Sequence, residues 1–527
     1  MNASKIKLFF YIGIFLYTSI VIALFCFSKQ YLVWDSGITL KMTDNGVKNI
    51  PFNHYQHPKV TNLNEDETEF VTWWTPGQFA MPQLVQKIIP VSLYSTIKIL
   101  TILCLLISGF GIFKLYHRLI DYKENIIQPV SITTLAIFAF TLIQPFFWAN
   151  IFLYYGGGIL MLAYCPWFIY WTIKLNNINF YNLLLLLILG FVGFFLKASF
   201  TSIFIGSLLY CFLLNSELFN GSLKNLNYKK IIRNGLYLGL IFVIYIVIGK
   251  TYFLNYNRNI SDTSMGIGLN PRAVAFPLIA PIFGIFFSLN TIIKTISCLI
   301  GSVLVIAIYY FILRSKQVSS LYKNTLVSFV GINFVFYSLI YLSKADVSYE
   351  FRHFTILTIL VIPAFFLIWK RSKVVKFSFV GLMILYSLFN AYNFTKTDMI
   401  TTKYNSVGYY SKLPLPYPPG LINKIHTLDN LKNNGRDIFC FSDSYPIIAL
   451  EIKNNRVLLQ DNYLNFHFDY SKIPKHPLYY GYNSGNIYAI CPVDSLSNLT
   501  KFEKYKKFEK IYQTDGYGIF KAIAPNK

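Results

Sequence analysis

The feature that most constrains this fold is a series of apolar runs, each close to the length that crosses a lipid bilayer. An α-helix needs roughly 20 apolar residues to cross a hydrocarbon core of about 30 Å. Hydrophobic residues make up 54% of the 527 positions, more than a soluble chain normally buries. The runs are continuous rather than alternating, which favours helices over a transmembrane β-barrel. The sequence therefore predicts an integral membrane protein.

Positive charge orients these runs, because short loops rich in Lys and Arg stay on the cytoplasmic side. Lys5 and Lys7 place the N-terminus inside. No small-x-small cleavage site follows the first run, so we expect it to be a retained anchor. About eleven transmembrane helices are predicted, at residues 8–27, 94–113, 130–149, 159–173, 183–196, 198–214, 235–253, 291–313, 326–343, 354–369 and 377–394.

Two segments decide this count. Residues 183–214 are too long for one crossing at about 1.5 Å per residue, so two short helices are predicted to meet at Lys197 on the outer face. Residues 273–290 contain two prolines, and a crossing there would turn the later basic loops outward. This segment is therefore predicted to be re-entrant or interfacial on the outer side, where protein or water covers its backbone.

The predicted organisation is an all-α polytopic membrane domain followed by a small extracytoplasmic α/β domain. The membrane domain covers residues 1–394 and contains a long first outer loop at 29–92. A proline-rich linker at 395–420 leads to the soluble domain at 421–527. Turn residues and apolar runs in that domain predict strands at 437–441 and 486–491 and a hairpin turn at 516–518.

The formal net charge of +24 fits this organisation. Many of the cations lie in predicted cytoplasmic loops, beside anionic lipid headgroups. No basic cluster is combined with an aromatic platform in a soluble domain, so nucleic acid is not an expected partner, whereas membrane lipids are.

Asp35 is the first candidate for chemistry, because it follows the first apolar run in a chain that has only 23 acids. Its sequence context, Trp34-Asp35-Ser36-Gly37, permits two roles. Asp35 could cap a short helix over 36–46, or it could accept a proton from an acceptor hydroxyl at the membrane surface. The two roles are compatible.

The acidic run later in the first outer loop is the rival set. Three adjacent like charges normally remain in water, which indicates an exposed loop. A carboxyl group desolvated against Trp73 or Trp74 would instead have a raised pKa and could act as an acid or base. Those tryptophans are either interface anchors or a surface for a sugar ring. The rival acids are Glu65, Asp66 and Glu67.

Two histidines in the same loop raise the question of a metal. His54 and His57 are three residues apart and could join the acids as ligands of a divalent ion. This spacing is common by chance, so we expect no cofactor.

Cations at the outer ends of spans are more informative than the abundant cytoplasmic ones. Long basic side chains readily snorkel to the interface, which is the simple explanation. An Arg fork is also suited to a phosphate, and Glu350 could alternatively form a structural salt bridge with Arg352. The residues concerned are Lys197, Arg258, Arg272, and Arg352 with its neighbour His353.

Taken together, these residues resemble the type-C glycosyltransferase superfamily, which includes protein O-mannosyltransferases and lipid A aminoarabinose transferases. The resemblance lies in the acid after the first span, the Gly190-x-x-Gly193-x-x-x-Lys197 stretch, the Arg352-His353 pair, and the residues 72–78 (Thr-Trp-Trp-Thr-Pro-Gly-Gln). It covers residues 1–394. Family members place two acids adjacently, whereas this chain has Asp35-Ser36.

The resemblance implies a membrane glycosyltransferase of the cell envelope, in a bacterial inner membrane. It would move a sugar from a polyprenyl-phosphate-linked donor to a lipid, glycan or protein acceptor on the extracytoplasmic side, with inversion. Asp35 would be the base, with the three loop acids as rivals, and Lys197 and Arg352 would hold the carrier phosphate. The expected substrate-binding set also includes Trp73, Trp74, Gln78, Tyr154, Tyr155, Arg258, Arg272, Glu350 and His353.

Two other functions remain open from the sequence. A cell-envelope polysaccharide polymerase or ligase also has many spans and outer arginines. A lipid or saccharide transporter without catalysis normally has ionisable groups in its spans and matching halves, and the predicted spans are nearly free of carboxylates.

Overall fold

The apolar runs fold into helices of unequal length. The structure is a computed structural model, and it describes residues 3–32, 35–59, 62–71, 75–123, 126–175, 177–216, 227–254, 271–283, 291–316, 318–343, 351–368, 381, 385, 404, 406–431, 435–441, 446–459, 483–493 and 507–523. The helices before the C-terminal part are α1 (Ala3–Phe27), α2 (Asp35–Lys41), α3 (Asn45–Lys48), α4 (Gly77–Ile88), α5 (Leu93–Ile120), α6 (Ile132–Leu142), α7 (Pro145–Trp148), α8 (Gly157–Lys174), α9 (Phe180–Leu196), α10 (Phe200–Asn215), α11 (Tyr228–Leu254), α12 (Pro271–Phe283), α13 (Thr291–Arg314), α14 (Ser320–Thr325), α15 (Gly331–Leu342) and α16 (Thr355–Ile368).

Several of these helices are long and apolar enough to cross a membrane. Within the described residues they are Ser4–Phe27, Leu93–Ile120, Tyr228–Gly249 and Ser320–Leu342, the last of which joins α14 to α15 through a π-helical stretch at Leu326–Val330. Much of α1 is exposed, including Phe9 and Phe15, which soluble proteins do not tolerate on this scale. The chain is an integral membrane protein.

Most predicted spans lie within observed helices, and one is wrong in extent. The predicted span 130–149 ends early, because α6 stops at Leu142 and the chain turns before Pro145. Proline disfavours a helical conformation at the preceding residue and cannot donate to the helix, so α7 begins a new turn there. The predicted span 377–394 lies almost entirely outside the described residues.

Residues 273–283 of the segment predicted to be re-entrant or interfacial belong to α12, and residues 284–290 lie outside the described residues. This helix packs against α13, α15 and α16, and Ala273, Phe276 and Ala280 are fully buried. Protein therefore covers this proline-containing helix.

The two short helices predicted on either side of Lys197 are α9 and α10. Lys197 follows α9 in an extended conformation, which turns the chain back into α10. A Cβ at Gly193 would lie 2.4 Å from ring carbons of Phe200, and one at Gly190 would lie 2.5 Å from Phe204. These glycines allow the rings of α10 to pack directly on α9, which is the physical reason for the spacing before Lys197.

The strands before the C-terminal part are short and pair locally, apart from one long-range pair. They are β1 (Tyr31–Leu32), β2 (His54–Lys59), β3 (Asn62–Phe70), β4 (Tyr122–Lys123), β5 (Ile126–Ile127) and β6 (Leu153–Tyr154). β2 and β3 form an antiparallel hairpin in the first loop. β1 pairs in parallel with β6, which comes more than a hundred residues later.

The C-terminal part is built on a five-stranded sheet. Its elements are β7 (Ser406–Val407), β8 (Pro414–Leu415), α17 (Pro419–Asp429), β9 (Ile438–Phe441), β10 (Arg456–Leu459), β11 (Ile487–Pro492), β12 (Lys507–Thr514) and β13 (Tyr517–Ile523). The sheet order is β10-β9-β11-β13-β12, parallel across the first three strands and antiparallel across the rest. The two strands predicted from the sequence are confirmed, and a hairpin turn is present at residues 515–516, slightly before its predicted position.

The first loop is fastened to this sheet. Leu63, at the start of β3, is fully buried in one cluster with Ile438 and Leu458. Arg456 donates to the Asp66 carboxylate, with its Nε 2.7 Å from Oδ1, and to the carbonyl oxygen of Leu63. The loop hairpin and the C-terminal sheet therefore share a core.

Candidate functional site

The strand pair β1–β6 brings the residues after the first helix to the turn before α8. Leu32 is in register with Tyr154. The hydroxyl of Ser36 donates to the backbone carbonyl of Tyr154 over 3.3 Å. Gly156 has φ of +50°, a conformation that favours glycine, and a Cβ there would lie 3.0 Å from Ser36 Oγ. Asp35, the first residue of α2, is thereby held next to this turn.

Gln78 ties the same turn to the first loop. The backbone N–H of Gly157 donates to Gln78 Oε1 over 3.1 Å, and Gln78 is buried. Gln78 is in the first turn of α4, whose first residue, Gly77, packs on the backbone of Leu196 at the end of α9. Of the residues in the 72–78 motif, the structure therefore assigns Gln78 a direct role in positioning this turn.

Lys197, which follows α9, lies beside the same turn before α8. A Cβ at Gly157 would lie 3.2 Å from Lys197 Cδ, so the lysine stem runs along this glycine. A side chain at position 157 would push against both Gln78 and Lys197. Ser36 and the half-buried Lys197 therefore lie beside neighbouring glycines of one turn, Gly156 and Gly157.

Arg352 and His353 lie in a short 3-10 turn, Phe351–Phe354, that leads into α16. Burial lowers the pKa of His353 well below its usual value, and the positive charges of Lys197 and Arg352 lower it further. The ring of Tyr337 in α15 lies 5.9 Å from that of His353.

Arg272 extends this group of cations. It is the second residue of α12, a helix that packs against the Phe351–Phe354 turn. One helical turn later, Phe276 contacts Phe354 edge to face at 5.3 Å between ring centroids. Arg272 therefore lies on the side of α12 that faces Arg352 and His353.

The arrangement is suited to an anion. Lys197, Arg272 and Arg352 bring positive charge to one end of the helix bundle, and the half-buried surroundings screen that charge less than water would. A planar guanidinium can bind two oxygens of a phosphate at once, and the Lys197 ammonium adds a point charge. The hydroxyl of Ser36 and the Gly156-Gly157 turn give the site a polar wall.

The rival acids lie elsewhere, in strand β3, and have structural partners. Asp66 forms an ion pair with Arg456, with 2.6 Å between Nη2 and Oδ1. Glu65 pairs with Lys59 at 3.3 Å, and Glu67 lies 3.8 Å from His57. These contacts fasten the hairpin to itself and to the C-terminal sheet, and they do not bring the three acids to Lys197.

The histidines of the hairpin also have local partners. Nδ1 of His54 lies 2.9 Å from the carbonyl oxygen of Phe52, and Nδ1 of His57 lies 3.0 Å from that of Pro58. Across the described ranges, no three His, Cys, Asp or Glu side chains are grouped as metal ligands.

The remaining predicted site residues divide into two groups. Tyr154 is fully buried beneath the turn, and Tyr155, half-buried, follows it. Residues that lie outside the description are Trp73, Trp74, Arg258, Glu350 and the side chain of Asp35.

Sequence reasoning missed a polar cluster just after α2. Lys41 is buried, donates to the carbonyl oxygen of Ile452, and lies 3.2 Å from the Asp44 carboxylate. Burial lowers the pKa of Lys41 to about 8. Burial alone would raise the pKa of Asp44, but Lys41 and Lys453 together lower it. The only sequence signal was the spacing of Lys41 and Asp44 on one helical face.

Comparison with known proteins adds a distant likeness. No protein-family model matches the chain, and no curated protein matches it. The crystal structure of ArnT from Cupriavidus metallidurans bound to undecaprenyl phosphate aligns over 99% of this chain and 98% of its own, with 10% identity and a TM-score of 0.47. The apo structure of that protein aligns over 97% of both chains, with 8% identity and a TM-score of 0.45. We therefore base the proposed function on the contacts of the chain itself.

Proposed function

We propose that this protein is a membrane glycosyltransferase that takes a sugar from a polyprenyl-phosphate-linked donor and passes it to an acceptor hydroxyl. One observation carries the proposal: Lys197 lies along Gly157, in the turn that contacts Ser36, and its charge also acts on His353. The cations that we propose to bind the carrier phosphate would then lie near Ser36, the residue that follows Asp35. The support comes from these contacts together with the sequence resemblance.

The cations would stabilise the leaving group. When the bond between the sugar and the carrier phosphate breaks, negative charge gathers on the phosphate oxygens. Lys197 and Arg352, with Arg272 at the margin, would stabilise that charge most strongly in the transition state. Lys197 follows α9, Arg272 belongs to α12 and Arg352 to the turn before α16, so three separate elements would position the charges.

Asp35 would activate the acceptor. A hydroxyl is a poor nucleophile, so a carboxylate that accepts its proton during attack on the anomeric carbon lowers the barrier. The attack comes from the face opposite the phosphate, and a single displacement inverts the configuration. The bond to the acceptor oxygen forms as the bond to the phosphate oxygen breaks, and the phosphate leaves with its electron pair.

The proposal also includes a membrane topology for the chain. We place about eleven spans in residues 1–394, with the N-terminus in the cytoplasm of a bacterial inner membrane. The site and the domain at 421–527 are then extracytoplasmic. The contacts of Leu63 and Arg456 support a common side for the first loop and the C-terminal sheet.

The test is sugar transfer by purified protein in liposomes that contain a polyprenyl-phosphate sugar and candidate acceptors. We expect Asp35→Asn to lower the transfer rate by about 10²- to 10⁴-fold, the usual contribution of a general base. Glu65→Gln is the matched control, because Glu65 is an exposed acid of the same loop, and transfer should stay near wild type.

Two results would count against the proposal. If Asp35→Asn transferred the sugar at the wild-type rate, Asp35 would not be the catalytic base. Movement of the intact lipid-linked sugar across the bilayer, with no new glycosidic bond formed by the wild type, would favour a transporter instead.

A further inference from the structure

An apolar groove of about 250 Å³ lies between α1 and α5, away from the residues assigned to sugar transfer. Its walls run from Tyr11 to Phe25 on α1 and from Ile102 to Phe113 on α5, and Phe138 of α6 also lines it. The stretch on α1 is about 21 Å long at 1.5 Å per residue, close to the length of one extended acyl chain. Both α1 and α5 are long enough to cross the membrane, so the groove lies at hydrocarbon depth.

The cation Lys98 lies at one end of this groove. Lys98 is one helical turn before Ile102 on α5, on the face that continues through Gly109 and Phe113. Its ammonium lies 5.1 Å from the centre of the Phe25 ring, which is part of the groove wall. The same ammonium donates to the carbonyl oxygens of Cys26 and Ser28, at 3.1 and 3.0 Å.

These contacts determine where the Lys98 ammonium lies and how many of its hydrogens are already engaged in hydrogen bonds. Cys26 and Ser28 are at the end of α1, so the ammonium is held at the membrane boundary. An ammonium has three hydrogens, and the two carbonyl oxygens engage two of them. The ammonium also lies 5.2 Å from the centre of the Tyr94 ring, and the side chain is only half-buried, which leaves its third hydrogen for an anionic group.

We propose that this groove is a binding site for one acyl chain of an anionic phospholipid, with the lipid phosphate on Lys98. The apolar walls recognise the chain, and the charge at the boundary recognises the headgroup. The site is independent of the proposed transferase function, because none of its residues belongs to the Lys197 and Arg352 group.

Gly109 offers a direct test. It lines the groove, and a Cβ there would have no atom within 4 Å, so Gly109→Leu should fill the groove without disturbing the protein. Gly239 on α11 is the matched control, since its Cβ would also have open space and it does not line the groove. Val21→Phe narrows the groove from the α1 wall and serves if Gly109→Leu does not fold.

The measurement is native mass spectrometry of protein released from nanodiscs with equal phosphatidylglycerol and phosphatidylcholine of the same chains. We expect the wild type to retain phosphatidylglycerol about fivefold over phosphatidylcholine. Lys98→Gln should remove that preference. Gly109→Leu or Val21→Phe should remove one retained lipid, and Gly239→Leu should match the wild type.

Either of two results would overturn the proposal. One is equal retention of the two lipids by the wild type. The other is a groove-filling variant that folds and retains as much phosphatidylglycerol as Gly239→Leu. Neither result bears on sugar transfer, which the liposome assay measures separately.

Discussion

Lys41 is a buried lysine at the point where the first loop meets the C-terminal part. Burial lowers its pKa to about 8, and the carboxylate of Asp44 only partly offsets that effect. Above this pKa the folded protein releases a proton that the unfolded chain holds up to about pH 10.5. The unfolded state therefore binds more protons between pH 8 and 10.5, so stability rises with pH across that window.

The corresponding prediction compares the wild type with Lys41→Met. Between pH 8 and 10.5 the free energy of unfolding of the wild type should rise by up to about 3 kcal/mol relative to that of Lys41→Met. Below pH 8 the destabilisation of the wild type by the buried charge should be fully present. Denaturant titrations at several pH values measure this. Lys59→Met, at an exposed lysine of the same loop, is the control. Parallel pH profiles for wild type and Lys41→Met would contradict the assignment.

The sequence could predict some site residues but not their partners. Lys197, Arg352 and His353 could be chosen because charge at the end of an apolar run is costly, and in the folded chain the charges of Lys197 and Arg352 both act on His353. Ser36 and Gly157 did not stand out, because their role depends on the parallel pairing of β1 with β6, a contact between distant segments. Asp66 was a rival candidate base because nothing in the local sequence showed that it would form an ion pair with Arg456.

At the scale of elements, the α9–α10 pair is what holds Lys197 in place. The rings of Phe200 and Phe204 pack where Gly193 and Gly190 have no side chain. Phe200 is fully buried, with Phe168 at 4.8 Å and Tyr164 at 5.6 Å between ring centroids, so it has no room to withdraw. Apolar length and one lysine were enough to predict this pair of short helices. The break at Pro145 was missed because the apolar run continues through it.

Gly193→Ala should therefore destabilise the protein although alanine favours helices. The added Cβ would overlap the Phe200 ring at 2.4 Å, and overpacking of this kind costs about 1–3 kcal/mol. Gly239→Ala, where nothing lies within 4 Å, should be neutral or slightly stabilising. Thermal unfolding in detergent gives both values. If the two variants shifted the midpoint in the same direction and by the same amount, α9 and α10 would not be packed as described.

At the scale of the whole molecule, the first loop and the C-terminal sheet fold as one structure. Leu63 completes the core beneath β9, β10 and β11, and Arg456 and Lys453 reach back to Asp66 and Asp44. Sequence analysis treated the loop and the soluble domain as separate parts. A single leucine in a polar hairpin gives no local sign that its partner surface lies nearly four hundred residues later.

Removing this leucine should weaken the whole assembly. Leu63→Ala should lower the free energy of unfolding by about 2–5 kcal/mol, the usual cost for a fully buried leucine. Leu431→Ala is the matched control, since Leu431 is 44% exposed and should have a much smaller effect. Chemical denaturation followed by intrinsic fluorescence provides the comparison. Equal effects of the two substitutions would show that the hairpin does not insert into the sheet.

The proposed function depends on one spatial relation: Asp35 at the start of α2, Lys197 after α9 and Arg352 before α16 would lie in one site. Its most direct measurement is cross-linking of Asp35→Cys with Lys197→Cys, in a background without native cysteines, by a short bifunctional maleimide applied to intact cells. We expect efficient cross-linking of this pair from the outer side, and little for Asp66→Cys with Lys197→Cys. Labelling of Asp35→Cys and Lys197→Cys from opposite sides of the membrane would contradict it.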